Sequence, residues 1–499
     1  MNNLVLILIS SIALFISHDT LAAKPSVDAV VIMDSSGSMK KSDPDSRRKP
    51  AAKLFISLLN SEDRVSIMSF SDNGYPITYL NTLDNDKNLQ LTLDATDKVS
   101  NKGIYTNIHA AVERAYKILS ENKSERDPVI ILLSDGKMDV GNDEKSQALS
   151  AQLIEETLPK LNTEKIKLYS IAFTENADKE LLTRLSESTG GFCKVAENDE
   201  ALHLAFTSIF EQSKQPDMLP LTENTFLADE SIREITIVAN KASPESKIYL
   251  QTPANDKFDA SVKDKQIKWF ISDTFDMITI KKPAPGEWKI LFSDNNNKAY
   301  IVADMAMKTT FEFTSENDRQ KIQMHAWLEK DDVIVTEATI LDSTQAKTEL
   351  SSPSDKITEP PMGLALNDES LAGVFISNYT PDENGTYFAT ITLKSQTFER
   401  QKTFSFNATY TAPAEEFPVA LNQSTEAEKE IIITPKPNIE PEIKPETEPT
   451  AEPEPEPEED TLKSILIFVV INIIIAIIGL SIFLLIKLKN SKKTEPETK

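Results

Sequence analysis

Asp34-Ser35-Ser36-Gly37-Ser38 follows directly on the apolar run Val27-Asp28-Ala29-Val30-Val31-Ile32-Met33. That junction constrains the fold more than any other stretch of the chain. The run is short and rich in β-branched residues, the pattern of a buried strand. In an open parallel sheet, ligands bind at the carboxyl ends of strands, which is where this polar cluster falls. Asp34 brings a negative oxygen, and Ser36 and Ser38 bring neutral hydroxyls. Gly37 allows a tight turn between them. Three oxygen ligands on one turn suit a hard cation such as Mg²⁺.

Two later stretches complete a set. Val129-Ile130-Ile131-Leu132-Leu133 is a second continuous apolar run and ends in Ser134-Asp135-Gly136. Between the two runs, Gly103-Ile104-Tyr105-Thr106 leads into a helix with Ile108, Ala111, Val112, Ala115 and Leu119 on one face. With both strands parallel and central, Asp34, Thr106 and Asp135 meet at one rim. The order Asp-x-Ser-x-Ser, then Thr, then Asp resembles the metal-ion-dependent adhesion site of von Willebrand factor A (vWA) domains. The resemblance covers residues 27–213. It implies that Asp34, Ser36, Ser38, Thr106 and Asp135 hold Mg²⁺ or another divalent cation. The two Ser and the Thr would coordinate directly, and one or both Asp through water. An Asp or Glu of a protein partner would fill the open position. Gly103 stands three residues before Thr106, farther than family members often place it.

Residues 27–213 alternate strand and helix, which implies a doubly wound, mostly parallel sheet. Further strands are expected at Arg64–Phe70, at Ile166–Phe173 and around Cys193, with a short edge strand at Ile77–Leu80. Helices are expected after Pro50 and at Leu149–Leu161, Lys179–Ser188 and Glu200–Phe210. From Thr222 to about Tyr410 helical periodicity gives way to alternation. Trp288, Ile290 and Phe292 share one strand face, and Tyr387, Ala389, Ile391 and Leu393 another. Turn signals such as Ala284-Pro285-Gly286 separate the runs. Short strands spaced this way predict two β-sandwich domains, 222–304 and 305–412. The Pro-x-Pro-Gly-x-Trp stretch ending at Trp288 resembles an Ig-like module, and the 305–412 domain is read as Ig-like.

The ends carry other signals. Leu4–Ile16 is apolar and is followed by Thr20-Leu21-Ala22-Ala23, the pattern of a signal peptide over residues 1–23. The alternative is an uncleaved anchor, since Lys and Arg are missing before the apolar run. Residues 413–460 form a Glu/Pro-rich linker, where prolines remove backbone donors and like charges repel, so an extended acidic stalk is expected. Residues 464–486 are apolar and uncharged, long enough for a transmembrane helix. Lys487, Lys489, Lys492 and Lys493 follow in a basic tail, 487–499, that the positive-inside rule puts in the cytoplasm. These signals place the bulk of the protein outside the cytoplasm. The lack of disulfides, the resemblance to vWA domains and the architecture favour a bacterial protein at the inner membrane, facing the periplasm. A Gram-positive surface is the alternative.

Composition narrows the partners. The formal net charge of −25 is a poor match for nucleic acid or anionic headgroups. The single cysteine, Cys193, rules out an intrachain disulfide and is read as a buried, inert thiol, with an intermolecular bridge as the alternative. No His-Glu-x-x-His, Gly-x-Ser-x-Gly or Gly-rich phosphate loop occurs. His109 is read as a half-exposed helix residue. Asp43, Asp45 and Asp139 are read as solvated turns in preference to a second cation site. The chain is therefore expected to bind a protein partner through a metal site, in adhesion or envelope assembly, and not to be an enzyme. The alternatives are a constitutive scaffold subunit of a membrane complex and a hydrolase with an unrecognised site.

Overall fold

Val27–Asp34 (β1) has every residue buried, and its side chains alternate between two apolar clusters. Val27, Ala29, Val31 and Met33 face one cluster, and Val30 and Ile32 face the other. That is the environment of a central strand covered by helices on both sides. The computed structural model describes residues 26–410, apart from 175–176, 295, 317–318 and 366–368. The expectations for 1–23, 413–460, 464–486 and 487–499 lie outside the described residues. Among the described residues no helix is long and apolar enough to cross a membrane.

β1 pairs in parallel with Arg64–Phe70 (β2) on one side. Gly74–Pro76 (β3) and Asn81–Thr82 (β4) both pair antiparallel to β2. On the other side of β1 lie, all parallel, Asp127–Ser134 (β5), Lys167–Ala172 (β6) and Cys193–Val195 (β7). The edge therefore differs from the expectation at Ile77–Leu80. The Ile77 N–H reaches the Ile67 carbonyl, but the next ladder position is taken by the Thr78 hydroxyl, which accepts from the Ile67 N–H (3.0 Å) and breaks the strand in two.

Helices cover both faces of the sheet. Arg48–Leu58, Asp86–Asp97 and Asp199–Lys214 cover the first cluster. Ile108–Glu121, the 143–163 segment and Lys179–Ser188 cover the second. Asp86–Asp97 buries only Thr92, Leu93, Ala95 and Thr96, too narrow a stripe to stand out by periodicity. The 143–163 helix starts earlier than Leu149 because the Asn142 side chain caps it, and it loosens to an i→i+5 pattern at Leu153–Thr157.

The β half is organised around one long antiparallel sheet of nine strands. Its middle member is the two-residue strand Asp217–Met218, just after the last helix of the α/β part. On one side, Ile232–Asn240, Phe275–Lys281 and Lys298–Ala303 share a core with a four-stranded sheet that includes Trp288 and Ile290. On the other, Gly385–Lys394 and Glu399–Ala408 share a core with a five-stranded sheet begun by Met305–Glu316. The chain passes from one two-layer arrangement to the next at Asp304-Met305. Tyr387, Ala389, Ile391 and Leu393 are all buried on one face, as their alternation predicts. Phe292 is not on the Trp288 face: the strand ends at Leu291, and Phe292 has a positive φ and is exposed.

The α/β part is packed onto this long sheet. Asp199–Lys214 is buried on nearly every side from Leu202 onward, because one face meets the parallel sheet and the other meets the β half. Phe210 lies edge-on to Tyr300 (5.0 Å between centroids), and Phe192 edge-on to Phe388 (5.2 Å). Gln212 completes a broken ladder, its Oε1 accepting from the Ser405 N–H (2.7 Å). His203 sits in this seam with Nε2 3.0 Å from Thr274 Oγ1 and its ring against Phe275. Burial pushes its pKa down to about 4 from 6.5, a hydrogen bond with Asn240 opposing. As pH falls from 6.5 to 4 the unfolded chain takes up a proton that the folded chain does not, so stability falls across that window and levels off below it. The expected loss is about 3 kcal/mol. Denaturant midpoints of wild type and His203→Gln, taken across the window, should converge as the pH is lowered.

Candidate functional site

The carboxyl ends of β1 and β5 lie side by side, and the polar cluster is assembled there. Asp34 is the last residue of β1, and both of its oxygens are held. Oδ1 accepts from the Ser36 N–H (2.8 Å), and Oδ2 accepts from the Ser134 hydroxyl (2.7 Å). The Ser36 and Ser38 hydroxyls are 2.8 Å apart, and Ser38 donates to Asp135 Oδ1 (2.9 Å). Ser42, on the short helix Met39–Ser42, donates to the other Asp135 oxygen. Ser134 and Ser42 were not singled out from the sequence. Ser42 returns to the site because a single helical turn follows the loop.

Thr106 arrives from a separate loop. Its backbone forms a two-way bridge with Asp139 (2.8 and 3.0 Å), and its hydroxyl borders Gly136, next to Asp135. The helix does not begin at Thr106 itself. Asn107 caps it, accepting from the Ala110 N–H (3.0 Å). The three-residue spacing from Gly103 to Thr106 has a structural cause. Gly103 donates its N–H to the Ser35 carbonyl (2.8 Å), and a Cβ there would stand 2.4 Å from the Ser71 side chain. Gly37 in turn lies against the Gly103 carbonyl, so its value is close approach between two loops. All five residues expected as ligands are thus gathered at one rim.

The electrostatics fit a cation. Asp34 and Asp135 are both buried, and among the described residues neither has a Lys, Arg or His partner. Burial is the largest influence on Asp34 and pushes its pKa up to about 6. Hydrogen bonds from Ser36 oppose that shift, and the charge of Asp135 adds to it. Two desolvated carboxylates facing three hydroxyls make an oxygen-only donor set for a hard divalent ion. With both Asp34 oxygens occupied, Asp34 suits a role through water, and the Ser36, Ser38 and Thr106 hydroxyls suit direct contact. A bound ion would supply an electrophilic position able to take a further carboxylate.

The neighbouring acidic residues do not extend the site. Asp43 is fully buried and paired with Arg48, and its Oδ1 accepts from the Arg47 N–H (2.6 Å), so it serves the start of the next helix. Asp45 and Asp139 are exposed, and Asp139 caps the Gly141 N–H (2.7 Å). No group of three or more His, Cys, Asp or Glu is placed to hold a metal among the described residues. His109 is half-buried beside Glu113, which is already bound by Thr157 (2.6 Å) and Lys160 (3.0 Å). His325 pairs with Gln323. Cys193 is half-buried, and burial pushes its thiol up to about 11.

A doubly wound sheet with an acidic, hydroxyl-lined rim at its central strand ends defines a class of ligand-binding α/β domain. Residues 28–211 match the model of the von Willebrand factor type A domain family, and this segment is a vWA domain. Solved structures with similarity to the chain include a von Willebrand factor type A protein from Catenulispora acidiphila. It is 13% identical, over 62% of this chain and 64% of that one, with a TM-score of 0.32. The PilB minor pilin from Streptococcus sanguinis is 18% identical over 40% and 63%, with a TM-score of 0.33. Proximal thread matrix protein 1 from the mussel byssus, with a zinc-occupied metal-ion-dependent adhesion site motif, is 15% identical over 38% and 48%, with a TM-score of 0.31. The chain spans less than two thirds of the length of each of these three. No curated protein matches the chain.

Proposed function

We propose that the rim of the vWA domain holds a divalent cation, Mg²⁺ in the first instance, and binds a protein partner through an Asp or Glu that completes the ion's shell. The observation that carries this reading is the pair of buried carboxylates, Asp34 and Asp135, joined through Ser36 and Ser38 and without a Lys, Arg or His partner among the described residues. Such a site gains from any divalent ion, and a partly neutralised ion gains from a partner carboxylate. The role is adhesion or envelope assembly, without catalysis. The apolar 464–486 stretch and the lysines after it support a chain anchored in a bacterial inner membrane with the vWA domain on the periplasmic side.

The partner is to be found by cross-linking in intact cells, followed by binding measurements on a sensor surface. Thr106→Ala removes one hydroxyl ligand from outside the apolar core, so it should cost the fold about 1 kcal/mol. Partner affinity should fall with EDTA and with Thr106→Ala, and the two losses should not add, because both act on the same ion. Full-strength binding by folded Thr106→Ala chains in EDTA would move the partner to another surface. Constitutive scaffold docking predicts that result.

A further inference from the structure

Met305–Glu316 is the outermost strand of the five-stranded sheet, paired only with Arg319–Lys330. In an antiparallel ladder, alternate residues turn N–H and C=O toward the partner strand, and the rest turn them away. The Met307 N–H donates to Asp217 (3.2 Å), and the Met305 carbonyl accepts from Arg400 (3.0 Å), so the odd-numbered residues are the ones turned away. Leu328, opposite Met307, agrees: its carbonyl accepts from the Val335 N–H on the far side. Thr309, Phe311 and Phe313 therefore point their backbone polar groups outward. Among the described residues these groups have no partner. Thr310, Glu312 and Thr314 are exposed, and Phe313 is 42% exposed beside a half-buried Phe311. From Thr309 to Phe313 there is no Pro, no Lys and no register shift, the usual guards of a free edge.

We propose that Thr309–Phe313 is a docking edge for the same strand of a second copy of this chain, antiparallel about a two-fold axis at Phe311. In that register Thr309 faces Phe313 of the other copy and Phe311 faces its counterpart, so every outward backbone group of the segment is paired. On the outer face Lys308 meets Thr314 and Glu312 meets Thr310, with Lys308 diagonal to Glu312, within reach of a long side chain. Neighbouring registers are worse. A shift one way sets Glu312 against Glu312. A shift the other way runs Phe313 against Met307, whose N–H Asp217 already takes. The pairing also covers the exposed Phe313 ring. Two-fold, self-complementary contacts of this kind are the commonest route to a dimer.

The register is directly testable. Thr310 and Glu312 of opposite copies form a non-hydrogen-bonded pair with Cα atoms about 4.5 Å apart, within disulfide range. In full-length chains carrying Cys193→Ser, a mixture of Thr310→Cys and Glu312→Cys should cross-link faster than either variant alone. It should also outpace a mixture of Thr310→Cys with the exposed Lys394→Cys. Adding Thr309→Pro removes an outward N–H that pairs with nothing inside the chain, so monomer melting should hold. The loss of two symmetric hydrogen bonds should weaken the pairing by about thirtyfold. Cross-linking no faster than the Lys394→Cys control, or unaffected by Thr309→Pro in chains that melt normally, overturns the proposal.

Discussion

Arg400→Ala should lower the unfolding free energy of the 26–410 body by about 3–5 kcal/mol, the usual consequence of removing one partner from a buried ion pair. Arg400 is fully buried at the junction of the two β arrangements. Its guanidinium makes a two-pronged contact with Asp229 (2.6 and 3.2 Å), reaches Ser231 (2.7 Å) and donates to the Met305 carbonyl (3.0 Å). Asp229 and Ser231 belong to the first arrangement, Arg400 to the second, and Met305 to the crossing point between them. Burial opposes ionisation of Asp229, but Arg400 and Ser231 outweigh it and hold the carboxyl below its usual range. Without Arg400 that charge is stranded. Arg400→Met keeps most of the volume and should still be costly, and adding Asp229→Asn should recover part of the loss. Equilibrium denaturation of the three variants measures this. A shift within about 0.5 kcal/mol of wild type, the range of ordinary surface changes, would contradict it.

The second large effect is a reversal of rank. In EDTA, Asp34→Asn should melt no lower than wild type, because it keeps the side-chain shape and removes a desolvated charge that nothing positive offsets. With Mg²⁺ the order should invert. A ligand that binds only the folded state stabilises it by about 2.7 kcal/mol at a hundred times its dissociation constant. The variant should gain little of this. Melting curves with and without Mg²⁺ give both readings. Parallel responses of wild type and Asp34→Asn would remove Asp34 from the cation site.

The rim was legible in the chain because its parts are local. Asp34, Ser36 and Ser38 sit on one turn, and Ser134-Asp135 closes an apolar run whose burial is evident from its composition. The strand and helix alternation of 27–213 was legible for the same reason. What escaped was set by distant partners. Ser42 and Ser134 matter through contacts with Asp135 and Asp34, across 93 and 100 residues. The split of the edge strand depends on one hydroxyl, Thr78, standing in for a backbone carbonyl. Asp217–Met218 is too short to read as a strand, yet it joins the two β arrangements into one sheet. The all-round burial of Asp199–Lys214 follows from packing against the β half, which no local period encodes.

The central claim is that the five rim residues hold a divalent ion. Its most direct test is a titration of metal-stripped, full-length chains with Mn²⁺, following the free ion by paramagnetic resonance. Wild type should take up a single ion per chain, released by excess Mg²⁺. The double variant Ser36→Ala/Ser38→Ala should remain folded in EDTA and take up none. Equal uptake by wild type and the double variant, or none by folded wild type, would contradict the account.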